Sequence, residues 1–138
     1  MSDTNFVIVD ATDDAKNLIF ATWLRSYEAS SMMSKLIPRD TFFAEHHRVL
    51  ERIFARGPTV KLAVLPDQQD VVLGYAVVEG QVIHYVYVKP AFRRYGIAKA
   101  LLGACGIRPK FTYTHHTYIL RTDLHGKVKD AVFNPYKA

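Results

Sequence analysis

The chain reads as an α/β domain of the α+β kind, with elements in the order βααβββαβ(α)β. Three observations carry that expectation. A short β-branched run is followed by two stretches whose apolar residues recur at helical spacing. Three strand candidates then follow one another with only turns between them. The last of these strands feeds a basic, glycine-containing turn that opens a third helix. At 138 residues and 49% hydrophobic content, residues 1–138 fit one domain with a single core that needs no disulfide or metal.

Phe6-Val7-Ile8-Val9 is the first strand candidate. Thr12 can cap the helix that follows, and Asp13 and Asp14 suit its first turn. Leu18, Ile19, Trp23, Leu24 and Tyr27 predict the buried face of this helix, which fades in Ser30-Ser31-Met32-Met33-Ser34. Pro38, with Asp40 as cap, opens a second helix carrying Phe42, Phe43, His46, Val49, Leu50, Ile53 and Phe54 on one side, and Gly57-Pro58 stops it. Val60 to Leu65, Val71 to Glu79 and Gln81 to Val88 then read as an antiparallel meander. A helix from Ile97 to Cys105 is closed by Gly106, with Pro109 shortly beyond. Phe111 to His116 alternates as a strand does, Tyr118 to Val128 stays open between strand and helix, and Ala131-Val132-Phe133 predicts a last short strand.

Between the third strand of the meander and the third helix lies the stretch with most chemical content, Tyr85-Val86-Tyr87-Val88-Lys89-Pro90-Ala91-Phe92-Arg93-Arg94-Tyr95-Gly96-Ile97-Ala98-Lys99. The first N–H groups of a helix lack intrahelical partners and sit at the positive end of its dipole, so such a turn offers an anion aligned donors. Arg93, Arg94 and Lys99 add positive charge. Gly96 and Ala98 are small enough for a pyrophosphate to approach the backbone, and the contacts predicted are mainly to backbone.

Net charge is +5, which suits an anionic cofactor, an acidic protein or RNA alike. The single cysteine, Cys105, has no partner for an intrachain bridge and reads as a small buried hydrophobe. A polar start and the absence of any apolar run near the roughly 20 residues that span a bilayer predict a cytoplasmic, reducing setting without membrane contact. Six histidines raise the question of a metal, but His46-His47 and His115-His116 are adjacent pairs with diverging side chains, and no metal-ligand spacing occurs; no metal is expected.

Arg93, Gly96 and Ala98, with a strand before and a helix after, resemble the cofactor motif of the GNAT superfamily of N-acetyltransferases, Gln/Arg-x-x-Gly-x-Gly/Ala. The element order extends the likeness over residues 6–106. The short length and the Asn134-Pro135-Tyr136 ending are similar to compact members found in bacteriophages. The resemblance implies a mixed, mostly antiparallel sheet split at its centre, with helices on both faces and acetyl-coenzyme A wedged into the split. Val86, Tyr87 and Val88 would then edge the pantetheine. Arg93, Arg94, Tyr95, Gly96, Ile97, Ala98 and Lys99 would hold the pyrophosphate.

The resemblance further implies direct attack of a neutral amine on the thioester, with a base to take the amine's proton. His84, on the strand before the turn, is the candidate base, because its intrinsic pKa near 6.5 suits the task; a histidine satisfied on a sheet face is the competing reading. Superfamily members commonly carry an asparagine after the fifth strand and a tyrosine that protonates the departing thiolate. His115-His116-Thr117-Tyr118 stands where the asparagine is expected, and Tyr136 is the candidate acid. Trp23, Tyr27 and His46 are candidates to line the acceptor's approach. The acceptor stays open among small molecules, protein amines and aminoacyl-tRNA, and a second copy of the chain is a candidate partner. The alternative function is a catalytically inactive module that binds coenzyme A or RNA, for which Phe111-Thr112-Tyr113 beside Lys110 and Arg108 is the RNA-like feature.

Overall fold

The computed structural model describes residues 5–117 and 131–138. Strands β1 (Val7–Asp10), β2 (Thr59–Leu65), β3 (Gln68–Glu79), β4 (Val82–Val88), β5 (Thr112–Tyr113) and β6 (Val132–Phe133) form one sheet in sequence order. The first four pair antiparallel, whereas β4–β5 and β5–β6 are parallel. Helices α1 (Lys16–Ser30) and α2 (Arg39–Ala55) pack on one face, and α3 (Ile97–Ala104) covers the other. The expected mixed sheet with helices on both faces is what the chain forms.

Two apolar layers hold it together. Ile19, Trp23 and Tyr27 meet Leu50, Ile53, Tyr75, Val77 and Tyr85 on the α1/α2 side. On the α3 side Leu101 and Ile97 pack on Leu73, Val78, Ile83 and Val86. Leu18, expected on the buried face of α1, is 38% exposed, and Phe20 is buried in its stead. At about 100° per residue, Phe20 and Leu24 continue the Ile19–Trp23–Tyr27 stripe on the flank where Phe20 meets His47 and Phe54 of α2, and Leu18 falls off the other flank.

Local departures from the expected caps have simple causes. The Thr12 hydroxyl donates to the Asp14 carboxylate instead of accepting from the backbone, and a 3₁₀ turn, Asp13–Ala15, leads into α1. Pro38, extended at φ −53° and ψ 139°, is itself the N-cap of α2, and its carbonyl accepts from Phe42 N. Asp40 therefore sits in the first turn, where its charge complements the dipole. The expected strand 111–116 pairs only over Thr112–Tyr113, because it diverges from β4 immediately afterwards. The segment from Tyr118 to Val128, including the bracketed helix, lies outside the described residues.

Candidate active site

The split expected in the sheet lies between β4 and β5. Their ladder covers only Val82↔Thr112 and Ile83↔Tyr113, closed by a hydrogen bond from Thr114 N to Ile83 O at 3.0 Å. Beyond Ile83, β4 continues beside β3 as far as Lys89, whose N–H donates to Leu73 O. Backbone direction alternates along an antiparallel pair, so with Lys89 facing β3, Val86 and Val88 turn their N–H and C=O groups to the opened side. Arg93 uses one of them, donating from Nε to Val88 O at 2.9 Å. The cleft along the split is lined by Ser26, Ala29 and Ser30 of α1 together with Tyr85, Val86, Tyr87, Arg93 and Thr117.

A second concavity of about 460 Å³ adjoins it, with Arg93 lining both. Among the described residues its walls are Val88, Phe92, Arg93, Arg94, Gly96, Ile97, Ala98 and Lys99, three cations and no carboxylate. Here α3 begins without a side-chain cap and without an acidic residue in its first turn. Arg94 (φ 72°) and Gly96 (φ 83°) are both left-handed, the kind of backbone turn in which successive amides can form an anion-binding nest. For Arg94 that conformation costs about 1–2 kcal/mol, strain of the sort that persists where a loop serves a ligand. A Cβ on Gly96 would meet no atom of the described residues within 4 Å, so among them that side of the turn is open to a ligand. A diphosphate fits this turn: its negative charge complements the uncapped start of α3 and the positive charge of Arg93, Arg94 and Lys99.

Ile97 and Ala98 contribute backbone only, since their side chains are buried against the sheet at 1% and 4% exposure. The small size of Ala98 thus serves helix–sheet packing as well as ligand approach. Tyr95, expected in the cofactor set, is half exposed and is not among the residues that line the concavity. With Gly96 turning the chain back into α3, its ring is left on the outside of the loop.

On the α1/α2 face a β-bulge reshapes the middle of β4. Val77 pairs with Tyr85 and Val78 with Ile83, so His84 is the extra residue. Such a bulge breaks alternation and puts two consecutive side chains on one side. Ile83 and Val86 accordingly belong to the α3 layer, while Tyr85 joins Trp23 opposite and His84 turns with it. His84 is fully buried. Its Nε2 lies 2.6 Å from Glu79 Oε1 and its Nδ1 3.0 Å from Thr114 Oγ1. The expectation that it deprotonates an acceptor directly is therefore corrected, because neither ring nitrogen is open to a substrate.

From Thr114 the contacts run on. Its hydroxyl is 2.8 Å from His115 Nδ1, and His115 Nε2 is 2.8 Å from Nε2 of His46 on α2. At the other end Arg56 donates from Nε and Nη2 to Glu79, whose carboxyl is held down to about 2 by that hydrogen bond first and by His84 second. Burial lowers the pKa of His84 despite its carboxylate neighbour and that of His115 well below the usual value. Burial, then Arg52, lowers His46 to about 4. All three histidines are neutral at pH 7.

Of the acceptor candidates, Trp23 is completely buried and stacked on Tyr85 at 4.7 Å, which corrects its assignment to the site: it is core. Tyr27 and His46 do come together, their rings 5.1 Å apart, with Tyr27 7% exposed and His46 half-buried. Tyr136 is corrected too. The Asn134 carboxamide accepts from its backbone N–H, Pro135 stiffens the turn, and the ring stands 94% exposed. Tyr136→Phe should leave turnover within about twofold, as expected for a residue that holds no transition-state contact; a large loss of kcat at unchanged KM would return it to the site.

Sequence reasoning missed Glu79, Thr114 and the α1 residues Ser26, Ala29 and Ser30. Only His115 carried a signal, through its place after the fifth strand.

No protein-family model and no curated protein sequence matches the chain. Solved structures do. A protein of Pyrococcus furiosus described as an acetyl transferase superposes with a TM-score of 0.59 at 18% identity, covering 74% of this chain and 72% of that one. A GCN5-related N-acetyltransferase from Rhodopseudomonas palustris gives 0.55 at 18% identity over 77% and 66%. YjaB from Escherichia coli, in its apo form, gives 0.53 at 17% identity over 72% and 63%. The chain spans just under two thirds of the length of the last two. With a sheet parted beyond Ile83 and a cationic turn opening α3 beside the gap, the fold is that of the GCN5-related N-acetyltransferases.

Proposed function

We propose that the protein is an acetyl-coenzyme A-dependent N-acetyltransferase that moves the acetyl group directly to a primary amine. The observation that carries this reading is the adjacency of the two clefts, which share Arg93 as a wall: the gap beside Val86–Val88 lies on one side of it and the uncapped start of α3 on the other. Extended pantetheine suits the first, where outward-facing β4 backbone groups can pair with its amides as an added strand does. The diphosphate suits the second. The thioester, which supplies the activated acyl group, then falls beside Tyr85 and the tips of Ser26 and Ser30. The Tyr85 hydroxyl is 2.5 Å from Ser26 Oγ and has a pKa pushed up by burial, so it stays protonated and can donate a hydrogen bond. Because a thiolate with a pKa near 8.5 leaves readily, no strong acid is required.

Release of free thiol from acetyl-coenzyme A with a panel of amines tests the reading, with cofactor binding followed in parallel. Gly96→Val should weaken cofactor binding by on the order of 10²-fold, because its side chain would occupy the ligand's side of the turn and its φ of 83° disfavours a β-branched residue. The same backbone strain lowers stability by about 1–2 kcal/mol, so the fold is touched as well as the ligand. Full affinity in that variant would place the diphosphate elsewhere. Tight binding without turnover on any amine would favour the inactive coenzyme A-binding module.

A further inference from the structure

We infer that His46, His115, Thr114, His84 and Glu79 form a proton relay that takes the acceptor amine's proton at His46 Nδ1 and discharges it to solvent at Glu79. The inference rests on the acetyl-transfer reading. The five side chains come from α2, β5 and its extension, the β4 bulge and the end of β3, and each touches the next at 2.6–3.0 Å. The three middle members are 0–2% exposed, while Glu79 is 29% exposed and His46 half-buried. Both ends therefore reach solvent and the centre does not.

Proton counting gives the chain a direction. Ionised Glu79 can only accept, so His84 carries its proton on Nε2 and accepts at Nδ1. The Thr114 hydroxyl must then donate to His84, and its oxygen accepts from His115 Nδ1–H. His115 Nε2 is left as an acceptor, and His46 fills it with Nε2–H. Every donor points towards Glu79, and the ring nitrogen left without a hydrogen-bond partner among the described residues is His46 Nδ1. A proton bound there releases Nε2–H to His115, whose Nδ1–H passes to Thr114. The Thr114 hydroxyl proton moves to His84 Nδ1, and His84 Nε2–H goes to the Glu79 carboxylate. Glu79 loses the proton to water, and rotation of the rings and the hydroxyl restores the starting set. No electron pair changes owner except through these N–H and O–H bonds. Arg56, clamped on Glu79, keeps the terminal group ionised and ready to accept; the other charged group acting on His46 is Arg52, and Tyr27 faces it from α1.

Two measurements test the relay. Nitrogen-15 spectra of the intact protein at pH 7 should show His84 and His46 protonated on Nε2 and His115 on Nδ1; the opposite tautomer, or a doubly protonated ring, at any of the three overturns the direction. In acetyl transfer, Thr114→Val should lower kcat by on the order of 10²-fold while KM for acetyl-coenzyme A stays within about twofold, and Thr114→Ser should restore most of the loss. Should the valine variant fold poorly, His46→Ala carries the same prediction, with its lost turnover rescued by added imidazole. Unchanged kcat in a folded Thr114→Val, or no rescue of His46→Ala, overturns the relay and leaves acetyl transfer standing. Absence of turnover in the unmodified protein overturns acetyl transfer and this step with it.

Discussion

Lowering the pH from 7 to 5 should destabilise the fold, by about 2 kcal/mol through His46 and further through His84 and His115, above the range in which its carboxylates titrate. The unfolded chain protonates its histidines near 6.5, whereas burial depresses His46 to about 4 and lowers His84 and His115 as well. Between those values the unfolded state binds more protons, so stability rises with pH. It is complete above about 6.5 and is lost as pH falls towards the folded values, by up to about 1.4 kcal/mol per pH unit for each histidine. Glu79, held at about 2 by Arg56, adds a further loss only below 4.5. Urea midpoints at pH 7, 6 and 5 should therefore fall steadily, and His46→Gln should flatten the slope. Midpoints that stay level to pH 5 would mean that these rings are not buried and neutral in solution.

How much of this was legible in the sequence depends on how local each feature is. The turn from Lys89 to Lys99 is encoded within one strand-to-helix connection, so glycine, charge and helix start identify it without knowledge of the rest of the fold. The helix faces were legible for the same reason, to within the exchange of Leu18 on one flank of the α1 stripe for Phe20 on the other. The relay was not. Its members stand at positions 46, 79, 84, 114 and 115, and His46 meets His115 only because the fold lays α2 across the end of β5. Treating His46-His47 and His115-His116 as two separate adjacent pairs was correct about each pair and blind to the contact between them. The His84 bulge was equally hidden, since a one-residue slip leaves no mark on the alternation of Val82 to Val88. Composition suggested an anionic ligand, but only the way β5 leaves β4 after Tyr113 shows where an extended one can lie.

Gly74→Ala should lower stability and cofactor affinity together, although Gly74 touches neither cleft. It lies in β3 opposite Val88, where a Cβ would come within 2.5 Å of Tyr87 O and 3.2 Å of Val88 Cα. Both are backbone atoms, so no side-chain rotation relieves the contact, and β4 itself must move. Overpacking of this kind costs about 1–3 kcal/mol. The direction of the movement is what links it to function. On its other side β4 has lost β5 beyond Ile83, so the strand yields into the split and carries Val86–Val88 towards the place proposed for the pantetheine. A loss of affinity on the order of tenfold corresponds to about 1.4 kcal/mol, within what such a displacement can cost. Thermal melts and titration with coenzyme A should show both losses in this variant. Gly103→Ala, on α3 with nothing within 4 Å of the added Cβ, should raise helix stability slightly and spare binding. If Gly74→Ala loses stability yet binds coenzyme A normally, the extended arm does not run along the Val86–Val88 edge.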